Sequence, residues 1–297
     1  MTIRLILNGK SAGEPEVREA VTCIRHGGVD LEVRVTWEDG DVVRFIEETH
    51  GSGIERIIVG GGDGTVHEAV NGLLKLEPER RPALGIIPLG TANDFARSAG
   101  IPLDPGEALQ LAISGEAHCV DVGCLNGIAF LNMASGGFGA KVTASTPSGL
   151  KKLLGGGAYS LVGAMHAWRF QPFSGCLGLT GIEQPCSLIV LAIGNGRQAG
   201  GGQELTPHAK INDGLLDVMV VEAFSLADIG QAVRELDRLE GQGRFVRYFQ
   251  VPWVNFESDK PLPINLDGEE HEFEHIHIEC IPGAISLVLP SPCDLLS

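Results

Sequence analysis

The architecture follows from one segment, Ile57-Ile58-Val59-Gly60-Gly61-Gly62-Asp63-Gly64-Thr65-Val66-His67-Glu68-Ala69-Val70-Asn71-Gly72-Leu73. Its β-branched start predicts a strand, its glycines predict a tight turn, and the spacing of its later apolar residues predicts a helix. Glycines leave backbone N–H groups free to face an anion beside the N-terminus of such a helix. The segment therefore predicts a phosphate-binding loop.

This loop differs from the two common phosphate-binding motifs. A P-loop has Lys after its last glycine, and a Rossmann fingerprint has a third glycine near the position of His67. Asp63 is also unusual, because a carboxylate repels phosphate at close range unless a cation lies between them. The Asp therefore indicates Mg²⁺ chemistry. The structural alternative is a glycine-rich turn in which Asp63 only caps the helix.

Length and charge limit the class of protein. The chain has 297 residues, which suits two domains of moderate size, and its formal net charge is −16. Nucleic-acid binding requires a basic surface, so we expect no nucleic acid as a partner. The same charge disfavours strong electrostatic attachment to anionic lipid, and any membrane contact would rely on a local patch.

Cysteine content and hydropathy predict a cytoplasmic protein. The seven cysteines are scattered, odd in number and without a CxxC pair, which is typical of free thiols in a reducing compartment. The apolar run at the N-terminus is too short for a signal-peptide core. We find no run of roughly 18 apolar residues that would predict a membrane-spanning helix.

Strands and helices alternate in the first third of the chain, which predicts a parallel sheet covered by helices. Ligands of such sheets bind at the carboxyl ends of the strands, so the loops there are the candidate functional loops. They contain Asn8, Thr36 and the Gly60 to Thr65 turn. The predicted strands are 3–7, 31–35, 56–59 and 84–88, and the predicted helices are 14–25, 42–49, 66–73 and 94–99.

A fourth loop, Pro88-Leu89-Gly90-Thr91-Ala92-Asn93-Asp94, has the same character as the first. Thr91 and Asn93 can donate to phosphate oxygens or cap the next helix, and Asp94 can serve a cation or a hydroxyl. An ordinary capped helix start is the alternative. Two loops that combine glycine with Asp in one sheet favour a shared ligand site.

The pattern changes from about Val120. Short β-rich segments separated by Gly, Asn and Pro predict an antiparallel sandwich or barrel, interrupted by helical segments around 150–169 and 226–239. We predict the domain boundary near Asp121. The β-rich segments are 129–133, 187–193, 216–221 and 275–281.

Three segments of the second half have residues suited to chemistry. Asp213 with the carbonyls of Lys210 and Leu215 can form an oxygen cage for Mg²⁺, although a plain β-turn explains the same residues. Asp267 and Glu269 flank a glycine, and the pair can provide a metal ligand and a general base, or only a hairpin turn. The glycine-dense segment 194–202 predicts either a second binding loop or a hairpin connection.

Two weaker signals remain. Lys141, Lys151 and Lys152 lie near leucines and can contact lipid headgroups, but a helix with a solvated lysine face is the favoured interpretation. His275 and His277 share a strand face and follow His271, yet no matching Cys or His pair completes a tetrahedral zinc site. We therefore do not predict a zinc site.

Taken together, the motifs resemble those of the bacterial diacylglycerol-kinase-type lipid kinases, most closely the YegS group. The resemblance covers the chain almost end to end, and the order of the motifs makes it specific. The motifs are Ile6-Leu7-Asn8-Gly9-Lys10-Ser11, Val35-Thr36-Trp37-Glu38, Gly60-Gly61-Gly62-Asp63-Gly64-Thr65, Pro88-Leu89-Gly90-Thr91-Ala92-Asn93-Asp94-Phe95-Ala96, Asn132-Met133-Ala134-Ser135-Gly136-Gly137-Phe138-Gly139, 194–202, 211–216 and Asn265-Leu266-Asp267-Gly268-Glu269.

The resemblance implies a two-domain kinase. Residues 1–122 with the C-terminal tail 285–297 would form a three-layer α/β domain like those of NAD kinases and phosphofructokinases. Residues 123–284 would form an antiparallel β-sandwich that binds the lipid substrate. Gly9 departs from the wider diacylglycerol kinase pattern, in which proline is common after the asparagine, while the YegS group shares the glycine. The substrate of diacylglycerol kinases proper therefore does not transfer directly.

The resemblance also implies roles for individual residues. Glu269 would accept the proton, with Asp267 beside it, and Asp63 would act through the catalytic metal. Lys210, Asp213 and Leu215 would hold Mg²⁺, with Ca²⁺ as an alternative ion at the Asp213 site. The residues implied to bind ATP are Asn8, Thr36, Gly62, Asp63, Gly64, Thr65, Val66, His67, Glu68 and Thr91.

The predicted function is an ATP- and Mg²⁺-dependent kinase that phosphorylates a hydroxyl of a membrane lipid. Phosphatidylglycerol and diacylglycerol are the expected acceptors, reached through a transient peripheral contact with the membrane. Two alternatives stay open, which are a kinase of the NAD kinase type with a soluble substrate and a non-catalytic nucleotide-sensing module. The sequence does not specify an oligomeric state.

Overall fold

The computed structural model describes residues 2–137, 140, 171–239 and 241–297. The helix predicted around 150–169 and the patch of Lys141, Lys151 and Lys152 lie outside these residues. The first part of the chain alternates strands and helices as predicted. Its elements are β1 (Thr2–Leu7), α1 (Pro15–His26), β2 (Leu31–Val35), α2 (Asp41–Glu47), β3 (Ile54–Gly61), α3 (Asp63–Leu74), β4 (Ala83–Pro88), α4 (Asp94–Ser98) and α5 (Pro105–Ser114).

Helix α5 is not among the predicted helices, although its start carries a recognisable signal. Pro105 occupies its first turn, and the Asp104 carboxylate accepts a hydrogen bond from the Glu107 amide at 2.9 Å. An N-cap Asp followed by Pro is a common helix start. Its buried residues pack into the same core as β1, β3 and β4.

The second part of the chain is mostly antiparallel, as predicted. Helix α6 lies within the helical segment predicted around 226–239. The elements are β5 (Ala117–Leu125), β6 (Ile128–Phe130), β7 (Met133–Gly137), β8 (Phe173–Leu179), β9 (Ile182–Gly194), β10 (Gln198–Ala199), β11 (Gln203–Glu204), β12 (Leu216–Glu222), α6 (Ile229–Arg238), β13 (Val246–Val251), β14 (Trp253–Leu266) and β15 (Glu269–Val288).

Strands β2, β1, β3 and β4 form the parallel part of the sheet in that order. Leu7, at the end of β1, lies opposite both Val35 of β2 and Gly60 of β3. The three strands therefore end at the same level, and their following loops leave the same edge of the sheet. Buried Ile and Val side chains of these strands form the core under the helices.

The antiparallel strands form a sandwich around a second core. The path β13-β12-β9-β7-β14-β15 is hydrogen-bonded in order, and β8 pairs with both β14 and β9. Fully buried residues between the strands include Phe130, Leu177, Val218 and Phe256. The first residues of β14 alternate between buried and partly exposed, which is the pattern of a sheet with one buried face. Strand β12 is buried on both faces, because Val218 and Val220 lie in this core and Met219 and Val221 lie in a further apolar cluster.

Strand β15 connects the two parts of the molecule. It starts in the sandwich, where Glu269 lies opposite Leu266 of β14, and ends with Leu287 beside Leu84 of β4. Beyond it, Leu289 and Leu295 are buried in the core of the parallel sheet. The residues that follow β15 therefore pack with the parallel sheet and not with the sandwich. None of the helices in the described ranges is long and apolar enough to cross a bilayer.

Asp121 fixes the junction between the two parts. It is 3% exposed, and its two carboxylate oxygens accept hydrogen bonds from the amides of Gly214 and Gly283, both at 2.7 Å. Its own amide donates to the carbonyl of Ile211. One buried carboxylate therefore holds three segments that are far apart in the sequence.

We expect Asp121→Asn to lower the free energy of unfolding by about 2 to 3 kcal/mol, because one amide would lose its charged acceptor and face an NH₂ group instead. Urea denaturation would measure the change. Asp104→Asn is the matched control, since Asn and Asp cap a helix N-terminus about equally well. Equal stability of Asp121→Asn and the wild type would contradict the assigned role.

Candidate active site

The turn after β3 has the form that the sequence predicts. Gly62 is the N-cap of α3 with extended backbone, and α3 starts at Asp63. A Cβ atom on Gly61 would lie 2.3 Å from Thr65 Oγ1, so the close turn requires glycine there. Asn8, from the loop after β1, donates through Nδ2 to the same Thr65 oxygen at 3.3 Å. The first and third loops are therefore joined by a side-chain hydrogen bond.

The loop after β4 lies directly against this turn. A Cβ atom on Gly90 would be 2.4 Å from the Cα atom of Gly62, and the Leu89 amide donates to the Gly61 carbonyl at 2.8 Å. At this point the backbones of the two loops are in direct contact, with no side chain between them. The two loops predicted to share a ligand site thus form one continuous wall.

Asn93 closes the second loop on itself instead of facing a ligand. Its Oδ1 accepts from the Gly90 amide at 2.9 Å, and its Nδ2 donates to the Gly90 carbonyl at 2.8 Å. The residue is 6% exposed and left-handed, with φ of 51°. Both polar atoms of the Asn93 side chain are therefore hydrogen-bonded within their own loop. Thr91, at the exposed tip of the loop, remains available to a ligand.

A cavity of about 140 Å³ opens between this wall and the sandwich. Asp63 and Asp94 line it from the first domain, and Asp267 lines it from the β14–β15 turn. Burial raises the pKa of Asp63, and the neighbouring Asp94 and Asp267 carboxylates raise it further. Three carboxylates line one small cavity here, and the backbone amides of Asp94 and Phe95 offset part of the resulting rise in the pKa of Asp63.

The two carboxylate oxygens of Asp94 differ in their hydrogen bonding. Its Oδ2 accepts from the Gly201 amide at 2.9 Å, while its Oδ1 is buried without a hydrogen-bond partner among the described residues. Gly201 is at the tip of the β10–β11 hairpin, within the glycine-dense segment 194–202. That segment is thus a hairpin connection, and its tip also lines the cavity.

Asp267 holds the loop between β6 and β7. Its carboxylate accepts hydrogen bonds from the amides of Leu131, Asn132 and Met133 at 2.7, 3.0 and 2.8 Å. Its side chain is 4% exposed, and its backbone is left-handed with φ of 49°. The acceptor capacity of this carboxylate is therefore largely used within the protein.

Glu269 contrasts with Asp267. It is exposed, and its carboxylate has no hydrogen bond to the residues that the structure describes. A Cβ atom on Gly64 would lie 3.3 Å from its Oε1, which places the carboxylate beside the first turn of α3. Burial, then Asp39 and Glu269, raise the pKa of nearby Glu68. The free carboxylate therefore stands next to the glycine turn.

Two residues of the predicted nucleotide site, Val66 and His67, have buried side chains. The Val66 side chain is 6% exposed within the core, and its amide donates to the Gly62 carbonyl, so it offers no group to a ligand. His67 is 8% exposed, with Nδ1 3.8 Å from Asp267 Oδ2 and Nε2 3.3 Å from Asn71 Nδ2. These two side chains pack inside the protein, because they lie on the buried face of α3.

The predicted metal cage at Lys210 to Leu215 lies outside the cavity. Lys210 Nζ donates to the carbonyls of Asp294 and Leu296, both at 2.8 Å, which ties this loop to the C-terminal tail. Asp213 Oδ1 accepts from the Leu215 amide at 3.0 Å, as in an Asx turn. Burial, and after it the Asp121 carboxylate, raise the pKa of Asp213. Within the described ranges, no group of three or more His, Cys, Asp or Glu side chains is placed to hold a metal ion.

Two asparagines that the sequence does not single out organise the site. Asn71 of α3 pairs with both backbone groups of Ala129, accepting at 3.0 Å and donating at 2.9 Å. Asn195 is fully buried and donates to the carbonyls of Asp121 and Leu131. Both fix the second domain against the first. Asn195 follows the apolar strand β9 closely, which is a signal that could have indicated it, whereas Asn71 lies inside α3 without such a signal.

Two family models cover most of the chain. The model described as diacylglycerol kinase catalytic domain matches residues 2–125, and the one described as YegS C-terminal NAD kinase beta sandwich-like domain matches residues 132–289. A protein of Chromohalobacter salexigens named probable lipid kinase YegS-like is 55% identical over 294 residues, which cover 99% of this chain and 94% of that protein. The chain belongs to the YegS-like lipid kinase family. It is a lipid kinase.

Further matches agree with this kinase family. A protein of the same name from Stenotrophomonas maltophilia is 44% identical, and the alignment covers 99% of this chain and 97% of the Stenotrophomonas protein. A crystal structure described as that of a diacylglycerol kinase from Bacillus anthracis str. Sterne has a TM-score of 0.74 at 27% identity, with 98% and 97% of the two chains covered. The predicted family and fold class are therefore confirmed.

We expect Gly90→Ala to destabilise the kinase by about 1 to 3 kcal/mol, because the added methyl would meet the backbone of Gly62, which cannot rotate away. Gly13→Ala is the control, since a Cβ atom there has nothing within 4 Å. Urea unfolding of both variants would measure the difference. If both variants unfolded at the same urea concentration, the close contact between the loops would be refuted.

Proposed function

We propose that the kinase transfers the γ-phosphoryl group of ATP to a hydroxyl of a membrane lipid in a Mg²⁺-dependent reaction, with phosphatidylglycerol or diacylglycerol as acceptor. The observation that carries the proposal is the exposed, unbonded carboxylate of Glu269 beside Gly64, at the N-terminal turn of α3. A base there stands next to the place where a phosphate would bind. The lipid kinase family supports the class of acceptor.

The two adjoining loops, Gly60 to Thr65 and Pro88 to Asp94, support ATP as the phosphoryl donor. The N-terminus of α3 carries unpaired amides and a partial positive charge, which favour phosphate oxygens. Thr91 stands exposed at the neighbouring tip, and Thr36 is half-buried at the loop after β2. In this proposal, Asn8 and Thr65 hold the first and third loops together, and Gly62 to Thr65 face the phosphates.

The donor set of the cavity fits Mg²⁺. This ion takes oxygen ligands, usually one or two carboxylates together with substrate phosphates and water. Asp63 and Asp94 supply the carboxylates, and the buried, unpartnered Oδ1 of Asp94 is an acceptor in need of a partner. When bound there, Mg²⁺ would neutralise charge on the phosphates. We propose Asp63 and Asp94 as the residues that hold it.

Glu269 is the proposed general base. It takes the proton of the acceptor hydroxyl while the hydroxyl oxygen forms its bond to the γ-phosphorus and the bond to the bridging oxygen breaks, releasing ADP. Asp267 is a less suitable base, because three amides already occupy its carboxylate. We assign Asp267 a positioning role, since it fixes the turn that carries Glu269.

Three further expectations belong to this proposal. The loop with Lys210, Asp213 and Leu215 binds a divalent cation, Mg²⁺ or Ca²⁺, and the support for this is the Asp213 carboxylate, whose pKa burial and the neighbouring Asp121 carboxylate raise. The kinase contacts the membrane transiently as the lipid enters the cleft between the domains. A cytoplasmic location suits the seven cysteines, all of which are free.

We expect Glu269→Gln to lower kcat by about 100- to 10,000-fold, the usual contribution of a positioned base, without changing the affinity for ATP. Calorimetry would measure ATP binding, and labelled-phosphate transfer would measure turnover. Glu270→Gln, the same change at the exposed next residue, should keep full activity. Undiminished turnover by Glu269→Gln would rule out its role as base.

A lipid panel tests the acceptor. With ATP and Mg²⁺, we expect labelled phosphate to enter phosphatidylglycerol or diacylglycerol and not NAD, and chelation with EDTA to stop the transfer. Asp63→Ala should likewise abolish turnover, and a cooperative urea transition would show that the variant is folded. Transfer to NAD in place of lipid, or full activity of Asp63→Ala, would overturn the proposal.

A further inference from the structure

Trp37 is the most exposed large apolar side chain in the part of the chain that the structure describes, at 95% of its surface. Single exposed apolar residues are common and need no explanation by themselves. The position of Trp37 is more informative. It follows β2, and β2, β1 and β3 end at the same level, so Trp37 leaves the sheet at the same edge as the glycine turn.

Hydrogen bonds fix the backbone on both sides of Trp37. The Thr36 amide donates to the Leu7 carbonyl at 2.9 Å, and Thr36 Oγ1 accepts from the Gly9 amide at 3.2 Å. The amides of Trp37 and Glu38 both donate to Asp41 Oδ2, at 2.7 and 3.2 Å. The exposed indole therefore projects from a fixed base.

The loop that carries Trp37 runs from Thr36 to Gly40 and also lies beside α3. The Trp37 amide, the Arg44 guanidinium and the Glu38 amide lower the pKa of Asp41 to about 2, so the carboxylate stays ionised near neutral pH. At the other end of the loop, the Gly40 amide lies near the Glu68 carboxylate of α3 and offsets part of the rise in its pKa. The loop thus borders the helix whose N-terminus forms the proposed phosphate site.

The spacing suits a nucleotide that lies across the strand ends. Strand β1 separates β3 from β2, so the two loops are about 10 Å apart, or two strand spacings. A nucleotide with its phosphates on the glycine turn would pass its ribose over the loop after β1. Its base would then reach the loop after β2, where Trp37 is exposed.

We infer that Trp37 is the platform on which the adenine ring of ATP stacks, an inference that rests on the proposed ATP-dependent function. Tryptophan offers a large flat face, and nucleobases stack on such faces. Lipid is the less suitable occupant, because the acidic Glu38 and Asp39 follow Trp37 and would repel anionic headgroups. Adenine is uncharged and meets no such repulsion.

Calorimetry of the 297-residue chain with two ligands tests the inference. We expect Trp37→Ala to raise the Kd for ATP by about 5- to 100-fold, the range for loss of one base–aromatic stack. The Kd for inorganic tripolyphosphate, which has no base, should stay unchanged. Unchanged tripolyphosphate binding also shows that the variant has folded and kept its glycine turn.

Tryptophan fluorescence provides a second measurement. The chain has three tryptophans, of which Trp253 starts β14 in the second domain. ATP should quench the emission of the wild type and of the control Trp253→Phe, and the quenching should be lost in Trp37→Phe.

Three outcomes would overturn the inference. One is an ATP affinity of Trp37→Ala equal to that of the wild type, with quenching retained in Trp37→Phe. Another is weaker binding of Trp37→Ala to phosphatidylglycerol vesicles with unchanged ATP binding, which would make Trp37 a membrane contact. Both leave the proposed function standing. A wild type that binds neither ATP nor tripolyphosphate would refute the proposed function together with the inference.

Discussion

The contact between the backbones of Gly62 and Gly90 determines the shape of the site. A methyl group on Gly90 would overlap the Gly62 backbone, so the two loops meet only because both positions lack side chains. Their contact brings Asp63 and Asp94, one residue and four residues further along the chain, to the same cavity. The burial that raises the pKa of Asp63, and the neighbouring carboxylates that raise it further, thus result from the packing of the glycine loops.

The β14–β15 turn carries two carboxylates, those of Asp267 and Glu269, which have different roles. Asp267 is turned inward by its left-handed backbone and satisfies three amides of the β6–β7 loop. Glu269, two residues later, remains exposed and reaches Gly64 in the other domain. A single turn therefore both fixes the domain interface and presents the proposed base. Substitutions of Asp267 and Glu269 should therefore have different effects. The Asp267 carboxylate supports the fold, whereas the Glu269 carboxylate makes no hydrogen bond to the described residues.

Sequence patterns predict most of the parallel sheet, since β1 to β4 are short apolar runs that end in glycine or polar loops. They also point to the pair Asp267 and Glu269, but they cannot show which carboxylate is already bonded. The same limit explains Asn93 and His67, whose polar atoms face their own loop and the neighbouring domain. Asn71 and its partner Ala129 are 58 positions apart, a contact that no local pattern encodes.

The route of β15 has a consequence for how such enzymes can be recombined. Leu287 pairs with Leu84 of β4, and Leu287, Leu289 and Leu295 are buried in the same core as the parallel sheet, although the sandwich strands precede them in the sequence. Exchange of the sandwich by simple end-to-end fusion would remove Leu287, Leu289 and Leu295 from the first core. A chimaera with another substrate domain would need two crossover points, one on each side of the sandwich, chosen so that the last strand is retained.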